Sequence, residues 1–116
     1  MPTLNGAQAL IQSLKANGVD TIFGIPGVQL DPMFDALYHE QDSIRVIHPR
    51  HEQSTAYMAF GYAQTTGRVG TCLVVPGPGV LNTATALSTA YSCNAPVLEI
   101  AGQIPSPFIG KGLGQL

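Results

Sequence analysis

Glu52 is the residue of this sequence whose type and position most favour chemistry. It is the only formally charged residue from position 52 to position 67, and it opens the otherwise neutral segment EQSTAYMAFGYAQTTG. An acid in a first helical turn is ordinary, because the helix dipole stabilises negative charge there. A carboxylate among apolar residues could also hydrogen-bond a heterocyclic nitrogen and hold a proton on it. This segment alone leaves both interpretations open.

Neighbouring residues were considered for metal binding and for nucleophilic catalysis. His48 and His51 are three residues apart, but Pro49 interrupts the helix that would align them, and a single acid lies nearby. This pattern does not predict a metal site, and we assign no metal ligand. Ser54 lacks both an orienting acid and the GxSxG turn of a nucleophile elbow, so a hydrolase is not predicted.

The segment GPGVLN, residues 77–82, partly resembles a dinucleotide fingerprint. Asn82 stands where the third glycine or alanine is required, and Glu99 follows too early and within a predicted strand. The sequence also contains no GxxxxGK[ST] phosphate loop. Neither common nucleotide-binding motif is therefore present.

Charge is scarce in this chain of 116 residues, which has the length of one domain. Charged residues make up 10% of the sequence, against roughly 25% in typical globular domains. The net charge of -2 gives no reason to expect nucleic acid or an anionic membrane as partner. The start of the sequence does not resemble an export signal and no apolar run approaches the roughly 20 residues of a membrane span, so we expect a cytoplasmic protein. A surface with so few charges predicts burial against a partner or membership of a larger assembly.

Two cysteines, Cys72 and Cys93, are too far apart in sequence to form a CxxC pair. In a chain without an export signal we expect both to be reduced and buried as small apolar residues.

Helical and extended patterns alternate along the chain. We predict a first helix with a capping box between Asn5 and Gln8 that ends at Gly18, and a second helix capped by Asp31. The third helix is predicted over 52–66, ended by Gly67, and the fourth over 80–92. We expect the inward faces of the second and fourth helices to carry Phe34, Leu37 and Tyr38, and Val80, Ala84, Leu87 and Tyr91.

Four strands are predicted between these helices, over 20–25, over 44–48, in the run that ends at Pro76, and over 96–101. Strands that alternate with helices predict an α/β fold, an open doubly wound parallel sheet with helices on both faces. Ligands bind such sheets beyond the carboxyl ends of the strands. Those ends are GIPG, HPRHE, PGPG and AGQ, which puts Glu52 at the ligand-binding edge.

Four separated blocks, DTIFGIPG, RHEQSTAYMAFGYAQTTGR, GTCLVVPGPGVLN and PVLEIAGQIP, carry a resemblance to a known family. Together they resemble the N-terminal pyrimidine-binding domain of thiamine diphosphate enzymes of the acetolactate synthase, pyruvate oxidase and sulfoacetaldehyde acetyltransferase group. The resemblance implies that Glu52 bonds N1′ of the cofactor's aminopyrimidine and favours its imino tautomer. The imino nitrogen then takes the proton from thiazolium C2, and the resulting ylid attacks a 2-oxo acid.

The same resemblance implies further residues at the cofactor. Pro26 and Gly27 would line the cofactor pocket, and Pro76, Gly77 and Asn82 would lie beside it. Glycines and prolines at these positions are equally expected for packing alone.

The diphosphate and Mg²⁺ of this family are bound by a later domain marked by GDG, a motif that this sequence lacks. We therefore expect 1–116 to be a truncated pyrimidine-binding domain that is inactive alone. It would belong to a 2-oxo-acid carboligase or decarboxylase, partnered by a diphosphate-binding domain or subunit and by a second copy in a homo-oligomer. The alternative is a non-catalytic module that binds a partner chain.

Overall fold

The computed structural model describes residues 3–113, in which helices and parallel strands alternate as predicted. The elements are α1 (Gly6–Ala16), β1 (Thr21–Gly24), α2 (Asp31–Tyr38), β2 (Arg45–Ile47), α3 (Glu52–Thr66), β3 (Gly70–Val74), α4 (Pro78–Ser92) and β4 (Val97–Ala101). All strand pairs are parallel and the strand order is β2-β1-β3-β4. From β1 the chain moves to β2 at one edge of the sheet, and from β3 it moves to β4 at the other edge. The direction of winding therefore reverses between β1 and β3.

Helices cover both faces of the sheet, which confirms the doubly wound architecture. On one face α1 and α2 pack over Ile22 and Leu73. On the other face α3 and α4 pack over Phe23 and Cys72. The central strand β3 is buried along its whole length, as its run of apolar residues without alternation predicted.

Local signals at helix ends are confirmed where they depend on nearby residues only. Asn5 and Gln8 form a reciprocal capping box at the start of α1. Gly18 and Gly67 adopt left-handed conformations with φ of 79° and 68°, and Gly67 ends α3 at the predicted place.

The predictions for α2 were wrong in two respects. Asp31 is the first helical residue rather than the cap, because a 3-10 turn at Val28–Leu30 runs directly into the helix and Leu30 takes the cap position. Tyr38 is 67% exposed, while Met33, Ala36 and Leu37 carry the buried face.

The fourth helix begins earlier than predicted, at Pro78, since proline is well suited to a first helical turn. Its buried residues are Gly79, Thr83, Ala86 and Ala90. The predicted inward face was therefore rotated, and Tyr91 is 86% exposed.

The two cysteines differ in environment. Cys72 is fully buried, and burial together with the nearby Glu99 carboxylate raises the pKa of its thiol to about 12. Cys93 is exposed, so the prediction that it is buried was wrong. Neither forms a disulfide in the part of the chain that the structure describes. None of the helices described is long and apolar enough to cross a membrane.

Candidate cofactor site

Glu52 is the first residue of α3, directly after the loop that follows β2. His51 caps the helix, since its Nδ1 accepts a hydrogen bond from the main-chain N–H of Gln53 at 3.2 Å. The hydroxyl of Thr55 donates to the main-chain carbonyl of Glu52 at 2.6 Å. These local bonds fix the backbone of Glu52 and leave its side chain free to make contacts outside the helix.

The half-buried carboxylate of Glu52 contacts the second turn of α4. Asn82 donates from Nδ2 to Glu52 Oε2 at 3.0 Å, across 30 residues of sequence. The contact exists because α3 and α4 lie side by side on one face of the sheet. It joins two of the residues that the sequence assigned to the cofactor, in the region where the predicted ligand-binding edge lies.

Two glycines, Gly27 and Gly79, lie very close to the side chain of Val75, the residue after β3. A Cβ on Gly27 would lie 2.4 Å from Val75 Cγ1, and a Cβ on Gly79 would lie 2.7 Å from Val75 Cγ2. Both distances are far below van der Waals contact, so the loop after β1 and the first turn of α4 approach Val75 this closely only because these positions are glycine. The predicted site residue Gly27 therefore has a packing role in the fold.

Gly79 was not assigned to the site from sequence. A Cβ there would also lie 3.8 Å from Glu52 Cγ, so this glycine packs against the stem of the acid. The only available signal was its place in the PGPG loop, which equally describes an ordinary turn.

A surface groove of about 330 Å³ runs between the start of α4 and the segment after β4. Its lining residues are Pro76, Gly77, Val80, Leu81, Ala101, Gly102 and Gln103. Gly77 has φ of 65° and ψ of −118°, a conformation that residues with a side chain rarely adopt. Glu52 is not among the lining residues.

The predicted site residues therefore lie in three places at one edge of the sheet. Glu52 and Asn82 are in contact, Pro76 and Gly77 line the groove, and Gly27 packs on Val75 beside the exposed Pro26. The loops after β1 and β3 flank the point where the strand order reverses, which is where open α/β sheets bind ligands.

His48 is exposed, and its ring is held by two contacts. Its Nδ1 lies 3.0 Å from the carbonyl oxygen of Gly24, and its ring stacks on Phe34 with centroids 5.9 Å apart. Within residues 3–113, no three His, Cys, Asp or Glu side chains are grouped so that they could hold a metal ion.

Comparison with known proteins gives one family over nearly the whole chain. Residues 4–116 match the model described as thiamine pyrophosphate enzyme, N-terminal TPP binding domain. The chain is 44% identical over 108 residues to a probable acetolactate synthase large subunit of Methanococcus aeolicus, which covers 93% of this chain and 18% of that protein. It is also 44% identical over 107 residues to the large subunit of acetolactate synthase isozyme 2 of Escherichia coli K12, covering 92% of this chain and 19% of that protein.

A relative named for a different activity is similar to the same degree. A probable 2-ketoarginine decarboxylase of Pseudomonas aeruginosa is 45% identical over 114 residues, covering 98% of this chain and 20% of that protein. The chain thus spans about a fifth of the length of the curated relatives it matches. The match of the family model to residues 4–116 means that the chain belongs to the N-terminal TPP-binding domains of thiamine pyrophosphate enzymes, of the type found in acetolactate synthase-like proteins.

Proposed function

We propose that this chain forms the pyrimidine-binding part of an enzyme that decarboxylates or joins 2-oxo acids with thiamine diphosphate, and that Glu52 acts on the cofactor. The observation that carries the proposal is the half-buried Glu52 carboxylate at the start of α3, held through one oxygen by Asn82. The names of the relatives, acetolactate synthase and 2-ketoarginine decarboxylase, support the reaction class.

The donor and acceptor groups at this edge fit an aminopyrimidine. Among the hydrogen bonds of residues 3–113, the one to the Glu52 side chain ends on Oε2. The other oxygen, Oε1, is thus available to accept a hydrogen bond from a protonated ring nitrogen. The start of α3 stabilises negative charge, so this carboxylate can face a ring that carries positive charge.

The chemistry assigned to Glu52 is proton holding at N1′ of the aminopyrimidine. When bound, thiamine diphosphate supplies a nucleophilic carbon, C2 of its thiazolium ring, for attack on the carbonyl of a 2-oxo acid. Glu52 would hold a proton at N1′, which would favour the imino form of the exocyclic amine. A bound ring would cover the partly exposed side chain of Glu52 and keep competing water away from this proton.

The remaining predicted residues are proposed to bind the cofactor less directly. Pro76 and Gly77 line the groove beside α4 and would present backbone atoms to the ligand. Pro26 and Gly27 would form the opposite wall, where the packing of Gly27 on Val75 holds their loop in place.

Mg²⁺ and the cofactor's diphosphate are proposed to bind outside residues 3–113, in a diphosphate-binding domain or subunit. An octahedral oxygen site needs several carboxylate and carbonyl ligands, and the described residues offer no grouped acids for it. We accordingly expect residues 1–116 alone to show no turnover of 2-oxo acids.

Exposed apolar side chains on α3 and α4 support the proposal that partner chains bind this domain. Tyr57, Met58, Leu81 and Tyr91 are 39%, 41%, 73% and 86% exposed. We propose that this surface contacts the diphosphate-binding domain or a second copy of the enzyme. The same surface favours the alternative function, a non-catalytic module that binds a partner. The expected cytoplasmic location stays a prediction.

The test is the variant Glu52→Gln in the complete enzyme, with this chain and its diphosphate-binding domain together. We expect hydrogen–deuterium exchange at C2 of the bound cofactor to slow by about 100-fold, because a proton-holding group is lost while the shape of the side chain is kept. The measurement is ¹H NMR of the cofactor released after quenched exchange.

Glu40→Gln is the matched control. It removes the same charge from a carboxylate that is bonded to Lys15 and Gln12 and packs with the α1 and α2 helices. We expect the exchange rate of this variant to equal that of the parent. An unchanged exchange rate in Glu52→Gln would instead favour the non-catalytic module.

A further inference from the structure

The hydrogen bond between Asn82 and Glu52 joins an uncharged amide to the acid that is proposed to act on the cofactor. Asn82 Nδ2 lies 3.0 Å from Glu52 Oε2, and the bond is partly buried between α3 and α4. Other groups close to this acid do not reach the carboxylate. Thr55 donates to the main-chain carbonyl of Glu52, and Gly79 has no side chain to donate.

We propose that Asn82 is a positioning residue that pairs with the Glu52 carboxyl group in both of its protonation states and so keeps Oε1 directed at the cofactor. This inference rests on the proposed function of Glu52. It changes the role expected for Asn82 from a contact with the cofactor to a contact with the acid that serves the cofactor.

A primary amide suits this role because it donates a hydrogen bond without carrying a charge that would favour either protonation state of the acid. With the carboxylate ionised, the NH₂ group of Asn82 donates to Oε2, as in the structure. With the carboxyl group protonated on Oε1, the oxygen assigned to the ring nitrogen, Oε2 becomes a carbonyl oxygen and still accepts a hydrogen bond from the same NH₂ group. The pairing therefore survives the gain and loss of the proton, without a rearrangement of either helix.

Other side chains at position 82 would not behave in this way. A lysine would stabilise the ionised form and oppose proton sharing, since an opposite charge favours the charged state of an acid. A leucine of similar size would leave the half-buried carboxyl group without a partner in either state. An aspartate would place a second negative charge against Oε2.

Two variants of the complete enzyme test the inference. In Asn82→Leu we expect C2 exchange of the bound cofactor to slow by about tenfold, since the hydrogen bond that orients the Glu52 carboxyl group is lost. In Asn82→Asp, which keeps the shape of the side chain, we expect the acid limb of the exchange–pH profile to move to higher pH. A second readout needs no cofactor: the ¹³C resonance of the Glu52 carboxyl carbon should move in both variants relative to the parent.

Gln64→Met is the matched control, because it replaces an exposed side-chain amide on α3 by an apolar group of equal length. Its exchange rate and its Glu52 resonance should equal those of the parent. Parent-like exchange and an unmoved resonance in Asn82→Leu would overturn the inference, as would a parent-like pH profile in Asn82→Asp if the first variant does not fold. If Glu52→Gln itself leaves exchange unchanged, the proposed function fails and this inference fails with it.

Discussion

The α1/α2 face and the α3/α4 face of the sheet are packed with side chains of different size. The first is filled by large aliphatic residues, among them Ile11, Leu14, Ile22, Leu30, Leu37 and Ile44. The buried residues of α3 and α4 are small: Thr55, Ala56, Ala59, Ala63, Gly79, Thr83, Ala86 and Ala90. Large side chains supply burial free energy, roughly 1.5–3 kcal/mol each. Small side chains allow two helix backbones to lie closer to each other and to the sheet.

That proximity is what brings functional groups together. Glu52 and Asn82 can bond only because α3 and α4 lie close at their N-terminal ends. A face built from bulky residues would hold the helices further apart and the bond would be lost. The comparison suggests that the α1/α2 face chiefly stabilises the domain, whereas the α3/α4 face chiefly sets the geometry of the site.

The largest effect is expected where α3 meets the sheet most closely. A Cβ on Gly70 would lie 1.9 Å from the carbonyl oxygen of Ala59, so Gly70→Ala must push α3 off β3. We expect the free energy of unfolding to fall by about 4 kcal/mol, or the variant not to fold. Urea denaturation followed by circular dichroism measures this.

Gly61→Ala gives the matched comparison on the same helix. Apart from its chain neighbours and the nearby backbone of its own helix, no atom of residues 3–113 lies within 4 Å of a Cβ at this position, and Gly61 is in the interior of α3. Alanine there should therefore raise the free energy of unfolding by about 0.5–1 kcal/mol. A loss of stability similar to that of Gly70→Ala would show that the effect does not come from the close approach to Ala59.

A smaller effect on the free energy of unfolding is expected when the buried threonines Thr71 and Thr83, one from each face, are replaced by valine. Thr71 is fully buried in β3 beside Ile22, and among the described residues its hydroxyl has no hydrogen-bond partner. Thr83 on α4 is equally buried, but its hydroxyl donates to the carbonyl of Val80 at 2.6 Å.

Thr71→Val should raise the free energy of unfolding by about 1 kcal/mol, because it removes an unsatisfied polar atom at constant volume. Thr83→Val should not stabilise the protein, since it removes a bonded hydroxyl. Thermal unfolding of the two variants beside the parent distinguishes them. An equal gain from both would contradict the difference proposed between the faces.

The smallest effect concerns the amino end of the sheet, away from the site. Hydrogen bonds from the Arg68 guanidinium and the Tyr62 hydroxyl hold the pKa of Asp20 below its usual value. A lowered folded-state pKa stabilises the fold above the unfolded-state pKa, near 4, and this contribution is lost as pH falls through the folded-state value. Both partners of the ion pair are about half exposed, 48% for Arg68 and 50% for Asp20, so solvent weakens it.

The measurement is the difference in unfolding free energy between the parent and Asp20→Asn as a function of pH. We expect a small positive difference at neutral pH that begins to shrink below about pH 4 and vanishes once folded Asp20 is protonated. A difference that grows toward acid would contradict the assigned cause.

The sequence was most informative where a structural signal is local. The bounds of α3 followed from a helix-start residue and from Gly67, and the parallel sheet followed from alternating patterns. The inward face of α4 was misjudged because alanine and threonine occur on all sides of it, so that periodicity carries little contrast.

Contacts between distant elements could not be read from the sequence. The bond between Asn82 and Glu52 joins residues 30 positions apart and depends on how α3 and α4 pack together, and the sequence suggested only that both residues lie near the same edge. The close approach of Gly70 to Ala59 likewise gave no local signal, since a glycine at a strand start is also consistent with a simple turn.

The close packing of Gly27 and Gly79 on Val75 restricts which substitutions this region can accept during evolution. A Cβ on Gly27, in the loop after β1, and a Cβ on Gly79, in the first turn of α4, would overlap different methyl groups of Val75. A side chain at either position therefore requires the valine to move or to be replaced by a smaller residue. Substitutions at the three positions are thus epistatic, and their order matters: a smaller residue at position 75 makes room for the others. A directed-evolution library that varies positions 27, 75 and 79 together should therefore contain more folded variants with side chains at positions 27 and 79 than libraries that vary each position alone.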